Sequence, residues 1–279
     1  MSNMVINTNI LALNSHRAMK NVGATQAQSS ARLSSGLRIN TAADDAAGLA
    51  ISEKMRAQIR GLDMASKNAQ DGISMVQTAE GGMTEIGNMV QRIRELTVQA
   101  SNDSNDKATG DRTKIQREIS NLLSEIDSMA SRVEFNNKKL INGDYASTQL
   151  FLQVGANKDQ AIKFCIGNMN KSSLGLSSIN VDVSAASAIS AQISTINAAV
   201  NTVANERAKL GAIQNRLQYT IKSLDISSEN LSASESRIRD TDMAKEMMSL
   251  TKANVLSQAA TAMLAQANQQ PQNILQLLR

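Results

Sequence analysis

The sequence holds one thiol, Cys165, and one imidazole, His16. A single thiol has no partner for an intramolecular disulfide. One thiol with one imidazole also falls short of a four-ligand zinc site, or of a Cys–His pair supported by a further His. Each therefore reads as a packed or surface residue. The adjacent acids Asp44 and Asp45 admit three chemistries: a general acid/base couple, a cation site, or helix capping. No further acid or histidine converges on them in the sequence. Thr41-Ala-Ala-Asp44 instead fits a capping box, and both carboxylates complement the positive end of a following helix dipole. Asn102-Asp-Ser, Asn170-Lys-Ser and Asn230-Leu-Ser match the N-glycosylation pattern, but in a chain this rich in Asn and Ser they read as chance. No GxGxxG, P-loop, HExxH or GxSxG occurs. The chain thus reads as a non-enzyme that needs no cofactor and no metal.

The elements that carry these residues follow from composition. The 279 residues include one Pro, no Trp, two Tyr and three Phe, where average usage would give roughly fourteen prolines. Helix breakers and bulky core fillers are both scarce. Leu, Ile, Val, Met and Ala must fill the core, which suits helix packed on helix. The net charge of +4 is dispersed and lacks a basic run, so nucleic-acid binding is not expected. No apolar run reaches 18 residues, so membrane insertion is not expected either. The N-terminus lacks the pattern of a cleavable signal peptide.

Three periodic series define the helices. Ile51, Met55, Ile59, Leu62, Ala65, Ala69, Ile73, Val76, Ala79, Met83, Ile86, Val90 and Ile93 recur every 3.5 residues on average, the coiled-coil period. Ile115, Ile119, Leu122, Ile126, Met129 and Val133 repeat the 4,3 spacing after a breaker stretch closed by Gly110. The third heptad series is Ile189, Ile193, Ile196, Val200, Val203, Leu210, Ile213, Leu217, Ile221, Leu224, Leu231 and Ile238. Mid-chain, Leu150, Leu152, Val154 and Ile162, Phe164, Ile166 alternate with period two about a Gly155 turn, predicting a β-hairpin. The expected fold is mainly α: a long antiparallel coiled-coil helical bundle with a small β-hairpin region. Ser34-Ser35-Gly36 predicts the end of a first helix, with Gly36 as a left-handed cap. Residues 253–278 carry no charged side chain but hold Met263, Leu264, Ile274, Leu275, Leu277 and Leu278. Such faces usually end against another chain.

Two long segments at opposite ends then carry a resemblance. Ser34-Ser-Gly-Leu-Arg-Ile-Asn40, Asp44-Asp-Ala-Ala-Gly-Leu-Ala-Ile-Ser52 and Gln91-Arg-Ile-Arg-Glu-Leu-Thr-Val-Gln99 resemble the N-terminal signature of bacterial flagellin. Ser234-Glu-Ser-Arg-Ile-Arg-Asp-Thr-Asp-Met-Ala-Lys-Glu-Met247 and the segment from Ala265 to Leu278 resemble its C-terminal signature. The match covers about residues 1–175 and 187–279, a minimal flagellin without large outer domains. The resemblance implies a homopolymer: the flagellar filament, an extracellular propeller whose subunits are exported without a cleavable signal peptide. It also implies an export chaperone at the C-terminal segment, and filament cap and hook-junction proteins as partners.

In that family the chain ends line an inner tube and the heptad bundle forms an outer one. The corresponding division here is 1–44 and 239–279 for the inner tube, with 45–180 and 181–238 for the outer. Ile6, Ile10, Leu13, Met263, Leu264, Ile274, Leu275 and Leu278 are then the expected packing residues between inner-tube subunits. The hairpin region takes part in switching between filament forms. Arg92, Leu96 and Glu118 match segments recognised by the vertebrate Toll-like flagellin receptor. Their alternative role is structural, with Leu96 in the core and Arg92 paired with Glu118 across helices. Two rivals remain at this stage: a hook–filament junction protein with related termini, and a coiled-coil signalling hairpin. The close C-terminal match disfavours the first, and the uncharged ends disfavour the second.

Overall fold

Helix starts and stops fall at the residues whose side chains or backbone can satisfy the free ends of a helix. The computed structural model describes residues 8–102, 105, 110–183 and 186–277, with side-chain surroundings as far as residue 269. Helix α1 spans Ile10–Ser35, α2 Ala46–Ala100 and α3 Asp111–Arg132. A two-residue hairpin, β1 Glu134–Phe135 with β2 Lys138–Lys139, follows, then α4 Asp144–Ser147. The hairpin β3 Leu150–Gln153 with β4 Ala161–Phe164 precedes α5 Ala186–Arg239 and α6 Met243–Leu277. The long helices with small β elements match the expected mainly α bundle.

The Asn9 side chain accepts the Ala12 amide at 3.1 Å to start α1. Gly36, at φ 72°, ends it with its N–H on the Arg32 carbonyl, as Ser34-Ser35-Gly36 predicts. The start of α2 differs from expectation by one step. Asp45, directly before Ala46, accepts the Gly48 amide at 2.9 Å. Asp44 instead ties the preceding loop, accepting the Thr41 amide at 3.0 Å, the Thr41 hydroxyl at 3.1 Å and the Asn40 amide at 3.2 Å. Both acids cap or brace a turn.

The described chain forms two compact units. One takes both ends, up to Ala57 and from Asn230, and the other is Gln58–Glu229. In the second unit, Val76, Ala79, Met83, Ile86, Val90 and Ile93 of α2 are fully buried. In α5 the buried side chains Ile189, Ile196, Val203, Leu210, Leu217 and Leu224 fall at intervals of seven, one ridge of a heptad seam. Helix α3 buries Ile115, Ile119, Leu123, Ile126 and Ala130, while Leu122, Met129 and Val133 are only partly covered. This corrects the 4,3 reading. The 4,4,3,4 spacing follows the face of a straight helix, and Ala130 is too small to stand out in an apolar scan. Leu123→Ala is therefore expected to cost about 2–5 kcal/mol in denaturant titrations, and Leu122→Ala clearly less.

The larger hairpin is antiparallel, with Leu150 opposite Phe164 and Leu152 opposite Ile162. Leu150, Ile162 and Phe164 point into the core, while Phe151 is 57% exposed. The hairpin seats on α2 at glycines. A Cβ on Gly61 would stand 2.8 Å from the Ala156 Cβ and 3.2 Å from its Cα. Asn68 adds a bond from its amide to the Gln153 carbonyl at 3.2 Å. By contrast, Gly81 has open space around it. Alanine is worth up to about 1 kcal/mol over glycine inside a helix. Gly81→Ala should thus raise stability by roughly that amount, whereas Gly61→Ala should lower it through overpacking. Thermal melts of the two variants check the opposite signs.

The small β1–β2 hairpin was not expected. Asn136 and Asn137 sit at φ 50° and 61°, the left-handed conformation that asparagine tolerates in two-residue turns. The Asn-Asn pair was its sequence signal, but strands two residues long leave no period to read.

Candidate assembly surface

In the unit built from the chain ends, α1 packs along α6. What the pair buries is small: Ser29, Ala253 and Ala267. The links between the helices are mainly polar. Asn9 donates to the Ala267 carbonyl at 2.8 Å, Gln26 to Asn254 at 2.9 Å, and the Ser29 hydroxyl to Ser249 at 3.4 Å. Arg32 and Glu246 stand 3.9 Å apart. A cleft of about 310 Å³ between the helices is lined by Val22, Ala253 and Leu256 among others. The apolar side chains remain largely uncovered: Leu13 is 59% exposed, Ile10 49%, Met263 54%, Val255 60% and Met248 67%.

The turns that join the long helices are tied together more firmly. The Arg38 amide donates to the Arg239 carbonyl at 2.6 Å, and the Thr241 amide to the Gly36 carbonyl at 3.0 Å. Leu37 bridges Asp240 in antiparallel fashion. Beside this, Arg56 meets Glu235 at 2.7 Å and Arg239 meets Glu53 at 2.6 Å, with Glu235 and Arg239 buried. Asp44 reaches α1 through Gln28 at 3.2 Å. The Thr41 amide, joined by its hydroxyl, the Asn40 amide and Gln28, holds the Asp44 carboxyl below its ordinary 3.8. A folded pKa below the unfolded one adds stability above that ordinary value, and the contribution is lost as pH falls through the folded pKa. Asp44→Asn should therefore lower the melting temperature at neutral pH, and the gap to wild type should close as pH drops below about 3.8.

Of the expected inner-tube residues, Ile10, Leu13 and Met263 stand exposed and Leu264 is half-buried. Ile6 and Leu278 lie outside the described residues. Ile274 and Leu275 belong to the α6 backbone, but their side chains lie outside the described ones. The sequence reading missed Leu11, Met243, Met247, Met248, Val255 and Leu256, all exposed apolar residues of the same two helices. Met243, Met247 and Met248 precede the uncharged stretch on which that reading rested, with Lys245 and Glu246 between them masking the signal.

In the other unit, Arg92 on α2 and Glu118 on α3 come together. The Arg92 guanidinium donates through Nε at 3.1 Å and Nη2 at 2.9 Å to Glu118 Oε1, and through Nη1 at 3.1 Å to Glu95. Glu118, then Glu95, raises the guanidinium pKa above its usual value. Arg92 and Glu118 are about half exposed, whereas Leu96 is 2% exposed. The surface presents the ion pair, and Leu96 lies in the core.

His16 and Cys165 are both exposed. Among the described residues no group of three His, Cys, Asp or Glu side chains could hold a metal ion, and no helix is long and apolar enough to cross a membrane. What the geometry offers is surface: helices at the chain ends whose apolar faces await cover. Exposed apolar faces of that kind mark a helical protein with an association surface.

The comparisons give that class a family. The bacterial flagellin N-terminal helical region matches residues 6–146 and the flagellin C-terminal helical region residues 193–278. Flagellin of Bacillus subtilis is 51% identical, over 99% of this chain and 100% of its own. A 31.3 kDa flagellar filament core protein of Treponema maltophilum is 44% identical, over 99% and 100%. A solved structure assigned as a flagellar hook-associated protein of Vibrio parahaemolyticus covers 71% of this chain and 100% of its own at TM-score 0.59; at 12% identity that likeness is one of fold alone. The chain belongs to the bacterial flagellin family, in a minimal form without a large outer domain. It is a structural subunit of the flagellar filament.

Proposed function

We propose that α1 and α6 of neighbouring copies pack against one another to line the inner wall of the filament, with the α2, α3 and α5 unit outside them. In residue terms, 1–44 and 239–279 form the inner tube and 45–180 with 181–238 the outer. One observation carries this reading: the helix pair at the chain ends buries small side chains and leaves Leu13, Val255, Met248 and Met263 more than half exposed. Copies joined head to tail and side to side cover those faces and generate an open helical polymer. Seeded polymerisation followed by electron microscopy tests the reading, since Leu13→Asp should yield a folded monomer that does not extend seeds.

The subunit leaves the cell through the flagellar export channel, with a chaperone holding the C-terminal segment and cap and junction proteins meeting the filament ends. A single Pro and a single Cys suit a chain that must pass unfolded through a narrow conduit. The Arg92–Glu118 surface, supported by Leu96, engages the vertebrate Toll-like flagellin receptor. Arginine is a typical interface anchor, so Arg92→Ala should weaken receptor signalling by monomer in dose–response assays.

A further inference from the structure

Methionine is distributed unevenly between cover and exposure. Met83, Met169 and Met75 are 0%, 1% and 6% exposed, sealed in the second unit. Met243, Met247 and Met248, within the first two turns of α6, are 48%, 52% and 67% exposed. Thioether sulfur is the side-chain group here that a mild oxidant converts from apolar to polar without breaking the chain. From this contrast we propose that Met243, Met247 and Met248 form an oxidant-sensitive modification site that gates polymerisation. The proposal rests on the reading that α6 packs against neighbouring subunits.

The reaction needs a peroxide as the oxidant. The methionine sulfur attacks one peroxide oxygen and forms the S–O bond as the O–O bond breaks; sulfur gives up two electrons, and the departing oxygen takes the protons and leaves as water. The sulfoxide keeps the side-chain length but carries a strong acceptor. Burying that acceptor at a contact between subunits without a donor opposes assembly, by roughly tenfold or more in critical concentration for a single unpaired group. Three such groups in two turns compound the effect at every subunit. In the finished filament the same side chains are covered, so the site acts on the monomer.

The test uses the full chain carrying Cys165→Ser, because the exposed thiol would also react with peroxide. Monomer is treated with dilute hydrogen peroxide, mapped by peptide mass spectrometry, and used to extend filament seeds. The expected result is oxygen added at Met243, Met247 and Met248 before Met83, Met169 and Met75. Extension should fall at least about tenfold and recover after methionine sulfoxide reductase treatment. A triple Met243→Leu, Met247→Leu, Met248→Leu variant should lose much less extension to peroxide than wild type, the remainder coming from Met263, 54% exposed on the same helix. Undiminished extension by oxidised protein, or equal sensitivity of the triple variant, overturns the proposal. Met248→Asp separates the layers. If it blocks extension while oxidation does not, only the redox site fails; if it extends seeds normally, the packing role of this face fails as well.

Discussion

Val255→Asp and Leu256→Asp are each expected to abolish filament growth while leaving a folded monomer. The two side chains are 60% and 45% exposed on α6, Leu256 at the edge of the cleft with α1, so a carboxylate at either position reaches water while the chain is alone. Monomer helicity by circular dichroism should be unchanged. In the proposed inner-wall packing the same carboxylate enters an apolar contact between subunits without a cationic partner, a step that costs several kcal/mol. At about 1.4 kcal/mol per tenfold, the critical concentration rises by orders of magnitude. Sedimentation of seeded samples reads the loss directly, and filaments from either variant at wild-type concentration would show that this part of α6 faces solvent in the polymer.

The second large effect lies in the other unit. Ile196 is 0% exposed and lies on the seven-residue ridge of α5 with Ile189, Val203 and Leu210. Ile196→Asp removes a buried branched side chain and inserts a charge with no partner. The combined cost of several kcal/mol approaches the whole stability of a domain, about 5–15 kcal/mol. The expected outcome is loss of the cooperative thermal transition. Ile196→Val, which leaves the ridge intact, should cost only about 0.5–1.5 kcal/mol. A cooperative melt for Ile196→Asp close to that of wild type would refute the ridge.

Both effects draw on features that the sequence exposed to different degrees. The α5 seam was legible as a heptad series, although Ile193, Val200, Ile213 and Ile221 of that series are only partly buried, and the hairpin was legible because two alternating runs flank Gly155. Helix α3 was misread at Leu122 because Leu122 and Leu123 are chemically equal and only the position of Ala130 decides which faces inward. The seating of the hairpin on Gly61 was invisible, since a close approach between segments distant in sequence leaves no local pattern. Asp44 and Asp45 were assigned to capping, but the split between loop brace and helix cap depends on geometry one residue fine. At the candidate site, the lack of charge from residue 253 to 278 was readable, and with it the expectation of a partner chain. Met243, Met247 and Met248 lay outside it, and their exposure follows from how little of α6 is covered by α1.

The central claim is that the helices at the chain ends complete their packing only against neighbouring subunits. Hydrogen exchange read residue by residue on monomer and filament tests it most directly. Backbone amides protected only by a thinly packed helix pair open readily, whereas amides beneath a covered interface exchange slowly. The account predicts fast exchange throughout α1 and α6 in the monomer, slow exchange in α2 from Val76 to Ile93 in both states, and strong new protection of α1 and α6 in the filament. Equal protection of α1 and α6 in a demonstrably monomeric sample and in the filament would contradict it.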